Sequence, residues 1–178
     1  MRLQPGQTAP GFSVTDIQGQ SHQLEDYRGK RLLLSFHRYA ACPLCNLHIH
    51  ELSQHTAELQ QRGLQILAVF MSQPDRVSDQ YSSRQIPFPI AADPERKMYA
   101  AYGVEHSVTG MLTAFLHPRA LKAVASGFLP GVIDADTTTL PADFLIGPDL
   151  RIAETYYSTN ITQHMPLQTI REYAAGTV

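Results

Sequence analysis

Both cysteines of the chain fall within one short stretch, Arg38-Tyr39-Ala40-Ala41-Cys42-Pro43-Leu44-Cys45. A thiolate is the nucleophile of peroxide reduction and of disulfide exchange, yet free cysteine is mostly protonated near neutrality. The flanks of this stretch supply what would change that. An apolar run, Leu32-Leu33-Leu34-Ser35-Phe36, precedes it, and a long segment free of glycine and proline, Asn46 to Arg62, follows. A strand running into Cys-Pro-x-Cys at the start of a helix is the layout of a dithiol redox site. The helix N-terminus presents unpaired N–H groups and the positive end of its dipole to Cys42. Arg38 adds a permanent positive charge from the strand side. Cys45 follows one turn later, and i,i+3 positions on a helix satisfy the Cα separation of under about 7 Å that a disulfide needs. The spacing assigns Cys42 as the attacking thiol and Cys45 as the resolving thiol.

Two other readings compete. The cysteines could be structural and buried, but the coincidence of strand, Cys-Pro-x-Cys and helix argues for redox chemistry. A zinc site could use His48 and His50 in a C-x2-C-x2-H-x-H series. On a continuous helix those two histidines diverge by ~160°, and there is no second CxxC, so no metal and no other cofactor is expected. His48 and His55 project onto the apolar face of the helix and read as hydrogen-bonded core histidines. His37 reads as a strand residue with a backbone partner.

The elements that must position these residues follow from pattern. Phe12-Ser13-Val14 and His22-Gln23-Leu24, joined by a turn at Ile17 to Gln20, form an N-terminal hairpin. Arg31 to His37 and Leu64 to Phe70 are apolar enough for buried parallel strands. Leu44, Leu47, Leu52 and Leu59 share one face of the intervening helix, with Pro43 in its first turn and Gly63 as its C-cap. Pro74 to Ser83 reads as a short helix. Pro87 to Ile90 reads as an edge-like strand. Asp93-Pro94 reads as the start of a helix that runs to Tyr102. Met111 to Leu116 and Ala120 to Phe128 read as helices divided by Pro118. Asp134 to Thr139 is loop. Ala142 to Ile146 and Ile152 to Tyr157 form a hairpin across Gly147-Pro148-Asp149. A last helix is introduced by Asn160-Ile161-Thr162 and spans about Pro166 to Ala175. The order predicts a single α/β domain over residues 1–178. Its central sheet is largely parallel, with helices on both faces and the final hairpin as antiparallel edge strands.

Composition adds exclusions. With 178 residues, 43% hydrophobic and 17% charged, the chain has the makings of one ordinary core. A formal net charge of -2 without like-charge runs gives no nucleic-acid surface. No stretch approaches ~20 apolar residues, and no apolar leader follows the first residues, so neither a membrane span nor a secretory signal is expected. The expected compartment is the cytoplasm.

Several stretches recur in one known pattern: Gly6-Gln7-Thr8-Ala9-Pro10-Gly11-Phe12, then Gly19 and Leu24, Tyr27-Arg28-Gly29-Lys30, and Phe36 to Cys45. So do Asp93-Pro94-Glu95 with Ala101-Tyr102-Gly103-Val104, and Leu140-Pro141-Ala142-Asp143-Phe144-Leu145-Ile146. In these the chain resembles the alkyl hydroperoxide reductase/thiol-specific antioxidant (AhpC/TSA) family, the peroxiredoxin-like branch of the thioredoxin superfamily. The resemblance implies a thioredoxin-like fold with a central mixed sheet, an N-terminal hairpin extension and an insert near 107–139. It also implies a cis Pro141 beside the dithiol, with Leu140 offering backbone groups to substrate. The chain departs from true peroxiredoxins, which carry Pro-x-x-x-Thr-x-x-Cys. Here Ser35 stands at the proline position and Tyr39 at the threonine position, while Pro141 occupies the place of the usual strand arginine. Arg38 and the Tyr39 hydroxyl are the candidate replacements.

Two classes of function follow. One is a thiol-dependent oxidoreductase that reduces hydroperoxides or disulfides through a Cys42–Cys45 cycle, with a reductant such as thioredoxin or glutathione. The other is a non-catalytic redox sensor or partner-binding module. The apolar insert could cap the site, pack on the sheet or form a homodimer contact.

Overall fold

Strand β3 (Arg31–Phe36) is the middle of the sheet, and its alternation divides the molecule. Leu32, Leu34 and Phe36 point into one apolar core, and Leu33 points into the other. In this computed structural model, which describes residues 1–107 and 117–176, β4 (Leu64–Phe70) pairs parallel with β3 on one side. β6 (Ala142–Ile146) pairs antiparallel on the other. With β5 (Ile90–Ala92) and β7 (Ile152–Tyr157) the order is β5-β4-β3-β6-β7. The apolar runs of β3, β4 and β6 are the mark of strands covered on both faces.

On one face Phe36 meets Tyr99 and Phe144 edge-on, with ring centroids 4.9 and 5.8 Å apart. The separate two-stranded hairpin, β1 (Ser13–Thr15) and β2 (Ser21–Gln23), closes this core together with α3 (Lys97–Ala101). On the other face lie α1 (Pro43–Gln61), α2 (Pro74–Tyr81) and α5 (Leu167–Ala175). α4 (Pro118–Ala125) rides on α1, where Arg119 and Lys122 both pair with Glu51 at 2.7 Å. Among the described residues no helix is long and apolar enough to cross a membrane.

Several expected boundaries move, each for a local reason. β6 is not an edge strand: it lies between β3 and β7, so the sheet is mixed at its centre. β5 begins at Ile90 rather than Pro87, because Pro87 and Pro89 have no N–H for a ladder. α3 begins at Lys97 rather than Asp93. Arg96 has a left-handed φ of 55°, and the Asp93 carboxylate reaches past it to accept from the N–H groups of Lys97 and Met98. Pro118 opens α4 at its first turn instead of separating two helices, and the His117 ring caps it by accepting from Arg119 N at 3.2 Å. The expected helix Met111 to Leu116 lies outside the described residues. Asn160 to Thr162 forms a side-chain-capped turn, and α5 starts only after Pro166. The Leu140–Pro141 bond is trans, against expectation. Proline is tolerated at a strand start, and the Pro141 carbonyl accepts from Ser158 N at 3.1 Å.

Candidate active site

Cys42 is the N-cap of α1, and Pro43 is its first helical residue. The turn that carries Cys42 is held from below. Asn46, buried on α1, donates its amide to the carbonyls of Ala40 and Cys42, both at 2.8 Å. Its own oxygen accepts from Gln80 at 2.9 Å and from Arg84 at 2.7 Å. Ala40 N donates to the Ser72 hydroxyl at 2.8 Å, and that hydroxyl donates to Asp134 at 2.8 Å. The sequence reading missed Asn46 and Ser72. Asn46 had one signal, a polar residue among the apolar positions of α1.

Arg38 is 3% exposed, and its guanidinium is committed at both ends. One nitrogen lies 3.5 Å from the Cys42 sulfur, and the other donates to the Thr137 carbonyl at 2.6 Å. The group also sits 5.3 Å from the centre of the Tyr39 ring. Burial alone would push the Cys42 thiol up. The hydrogen bond from the Cys45 thiol, the Arg38 charge and the N–H groups of Cys45 and Leu44 outweigh it, and bring Cys42 down to about 6. Cys45 moves the other way: burial, its role as donor to Cys42 and the charge there push it well above the ordinary value. The pair is therefore a thiolate beside a protonated thiol, and the two cysteines are free. Burial first, then the Cys42 charge, lifts the Tyr39 hydroxyl to about 12, so it keeps its proton.

A cavity of about 410 Å³ opens over Cys42. Arg38, Tyr39, Pro43 and Leu44 form one wall, and Ala120, Val124, Pro130, Ile133 and Thr137 of the insert form the opposite wall with Ile161. The insert touches the cysteine turn directly, because Gly131 N donates to Ala41 O at 3.4 Å. A Cβ at Gly131 would lie 2.7 Å from the Ala41 Cβ, so only glycine permits this approach. Of the expected residues, Arg38, Tyr39, Cys42 and Cys45 come together. Pro141 is buried at the head of β6 and does not line the cavity. The Leu140 N–H is already bonded to Glu105 O at 2.8 Å.

A second polar cluster lies on the α1 side of the sheet. Register places Ser35 opposite Asp143, and the Ser35 hydroxyl donates to that carboxylate at 2.5 Å. Asp143 also accepts from Met165 N at 2.7 Å and meets the His164 ring nitrogen at 3.1 Å. His37 and His48 complete the group, with the His48 and His164 rings stacked at 3.7 Å. His48 is a core residue as expected, but among the described residues its Nε2 has no hydrogen-bond partner, nor has Nδ1 of His37. His50 is exposed on the other side of α1, as its divergence from His48 required. Sequence reading missed Asp143 and His164 as site candidates. Their only signals were a carboxylate inside an apolar strand and a histidine without periodicity.

The sequence pattern of the AhpC/TSA family matches residues 5–155. The chain belongs to the AhpC/TSA family. A peroxiredoxin-named relative from Mycobacterium tuberculosis is 28% identical over 102 residues, which is 57% of this chain and 65% of that one. The thiol-disulfide oxidoreductase ResA of Geobacillus thermodenitrificans is 34% identical over 100 residues, 56% of this chain and 57% of that one. The match thus spans less than two thirds of each of these relatives. Peroxiredoxin Bcp of Escherichia coli is 26% identical over 146 residues, 81% of this chain and 94% of that one. Among solved structures, a peroxiredoxin-like protein from Aquifex aeolicus superposes with a TM-score of 0.71 at 16% identity, over 100% of this chain and 90% of that one. Mycobacterium bovis AhpC gives 0.69 at 15% identity, over 99% and 93%. These similarities establish the AhpC/TSA scaffold, a thioredoxin-like fold.

Proposed function

We propose that this AhpC/TSA protein is a thiol-dependent oxidoreductase that reduces a hydroperoxide or a disulfide through a Cys42–Cys45 cycle. The observation that carries the proposal is the division of the pair, with Cys42 down to about 6 against Arg38 and Cys45 held protonated behind it. With a hydroperoxide, the Cys42 thiolate attacks one peroxide oxygen and the O–O bond breaks. The leaving oxygen takes a proton from solvent and departs as alcohol or water, and Cys42 becomes a sulfenic acid. The Cys45 sulfur then attacks Cys42, water departs and a disulfide forms. With a disulfide substrate, Cys42 forms a mixed disulfide, which Cys45 resolves to release the reduced substrate. In either case two electrons and two protons from a dithiol or glutathione-type reductant restore the thiols. The chemistry needs no metal or organic cofactor.

The peroxiredoxin names of some relatives and the thiol-disulfide oxidoreductase name of another support both substrate classes. The test is to mix reduced protein with hydrogen peroxide, an organic hydroperoxide and a model disulfide, and to follow dithiol loss in each. Rapid loss with one oxidant, abolished in Cys42→Ser, is the expected result. Equal slowness with all three would favour a sensor or binding module instead.

A further inference from the structure

We infer that His48, Asp143 and His164 form a buried site for a single transition-metal dication of the zinc class, separate from the cysteine pair. One ligand atom from each of the three lies within 4.8 Å of the others. Around a tetrahedral zinc, with bonds of about 2.0–2.1 Å, neighbouring ligand atoms stand about 3.3 Å apart. His164 Nδ1 and Asp143 Oδ2 are already 3.1 Å apart. The His48 ring, stacked nearly parallel on His164 with centroids 3.7 Å apart, would turn out of that stack to aim its nitrogen at the same ion.

An independent observation points the same way. His48 is 6% exposed, and its buried Nε2 has no hydrogen-bond partner among the described residues. Buried polar atoms are nearly always satisfied, so such a nitrogen marks a place where a ligand belongs. Asp143 brings the negative charge. Its bonds from Ser35 and Met165 N use only part of its acceptor capacity and fix its orientation, as partners behind a metal ligand do. An entry path exists: His48 and His164 line a cavity of about 380 Å³ between α1, α4 and α5. The cations on its rim, Arg119 and Lys122, are paired with Glu51. Two imidazoles and one carboxylate suit zinc, cobalt or iron better than magnesium or calcium, which prefer all-oxygen shells.

The test uses the full chain carrying Cys42→Ser and Cys45→Ser, so that thiols cannot bind the probe. Zn²⁺ is titrated calorimetrically, and Co²⁺ is followed by its visible absorption. The expected result is one saturable Zn²⁺ per chain, a Co²⁺ spectrum of low coordination number and no response to Mg²⁺. His164→Gln and His48→Gln, each with unchanged circular dichroism, should weaken Zn²⁺ binding by about tenfold or more. His48→Gln keeps the test decisive if other variants fail to fold, because the Nε2 it removes has no bond to lose among the described residues. Absence of saturable Zn²⁺ binding would overturn the inference. So would equal affinity in the His48→Gln protein, which would place the ion on outer histidines such as His50.

Discussion

At the scale of single residues, the proposed reactivity turns on the 3.5 Å contact between Arg38 and Cys42. The Cys42 value of about 6 lies below the ~8.5 of a free thiol. Its thiolate is therefore present above about pH 6 and is lost as pH falls through that value. Titration by ultraviolet thiolate absorbance should show one early step for Cys42, with Cys45 ionising far later. Arg38→Met should move the Cys42 step upward by about 1–3 pH units and slow dithiol oxidation at neutral pH about tenfold or more. An unmoved step would assign the shift to the helix terminus and Cys45 alone. Cys45→Ser should leave Cys42 able to attack, but trapped as a mixed disulfide that mass spectrometry detects. The grouping of Arg38, Cys42 and Cys45 was legible because they lie close together in sequence. Ser35, Asp143 and His164 were not, since they meet only through the register of β3 on β6 and the loop before α5.

At the scale of elements, the site depends on how α1, α2 and the insert hold one short turn. Asn46 of α1 ties the turn to α2 and the residues after it, bonding the carbonyls of Ala40 and Cys42 while accepting from Gln80 and Arg84. Asn46→Leu should cost about 1–3 kcal/mol, because buried groups lose their partners. A urea denaturation midpoint measures this, and a change near zero would mean that water replaces the amide. Gly131 belongs to the same scale. Gly131→Val should force the insert away from Ala41, where even a Cβ lies 2.7 Å from its neighbour. Reactivity toward bulky oxidants should then change while circular dichroism stays native. The helices and strands next to Cys42 were legible from periodicity and from their glycine and proline boundaries. The start of α3 was not, because the Asp93 carboxylate caps across a left-handed Arg96. The geometry of Pro141 was not legible either: the local sequence fits cis and trans alike, and the strand pairing decides.

At the scale of the whole molecule, two apolar cores flank one sheet, and Cys42 and Cys45 belong to the one on the α1 side. Phe36 is the junction of the core opposite α1, touching Tyr99, Tyr102 and Phe144. Phe36→Ala should destabilise the fold by about 3–5 kcal/mol, read as a lowered denaturation midpoint with little change in slope. A loss below about 1 kcal/mol would mean that the ring cluster collapses to fill the space. The sheet's membership was legible in its apolar runs. Its order was not, because nothing local to Ala142–Ile146 says that it inserts beside β3 rather than at an edge. That placement also creates the buried carboxylate–histidine group, which has no counterpart in the linear pattern.

The most direct test of the redox cycle is the product of a single turnover. Reduced protein is mixed with substoichiometric oxidant, quenched with an alkylating agent and mapped by mass spectrometry. The predicted result is one intramolecular Cys42–Cys45 disulfide for each oxidant consumed, with its rate falling as pH drops through about 6. Oxidant consumption with Cys42 recovered alkylated and Cys45 unbonded would contradict the account.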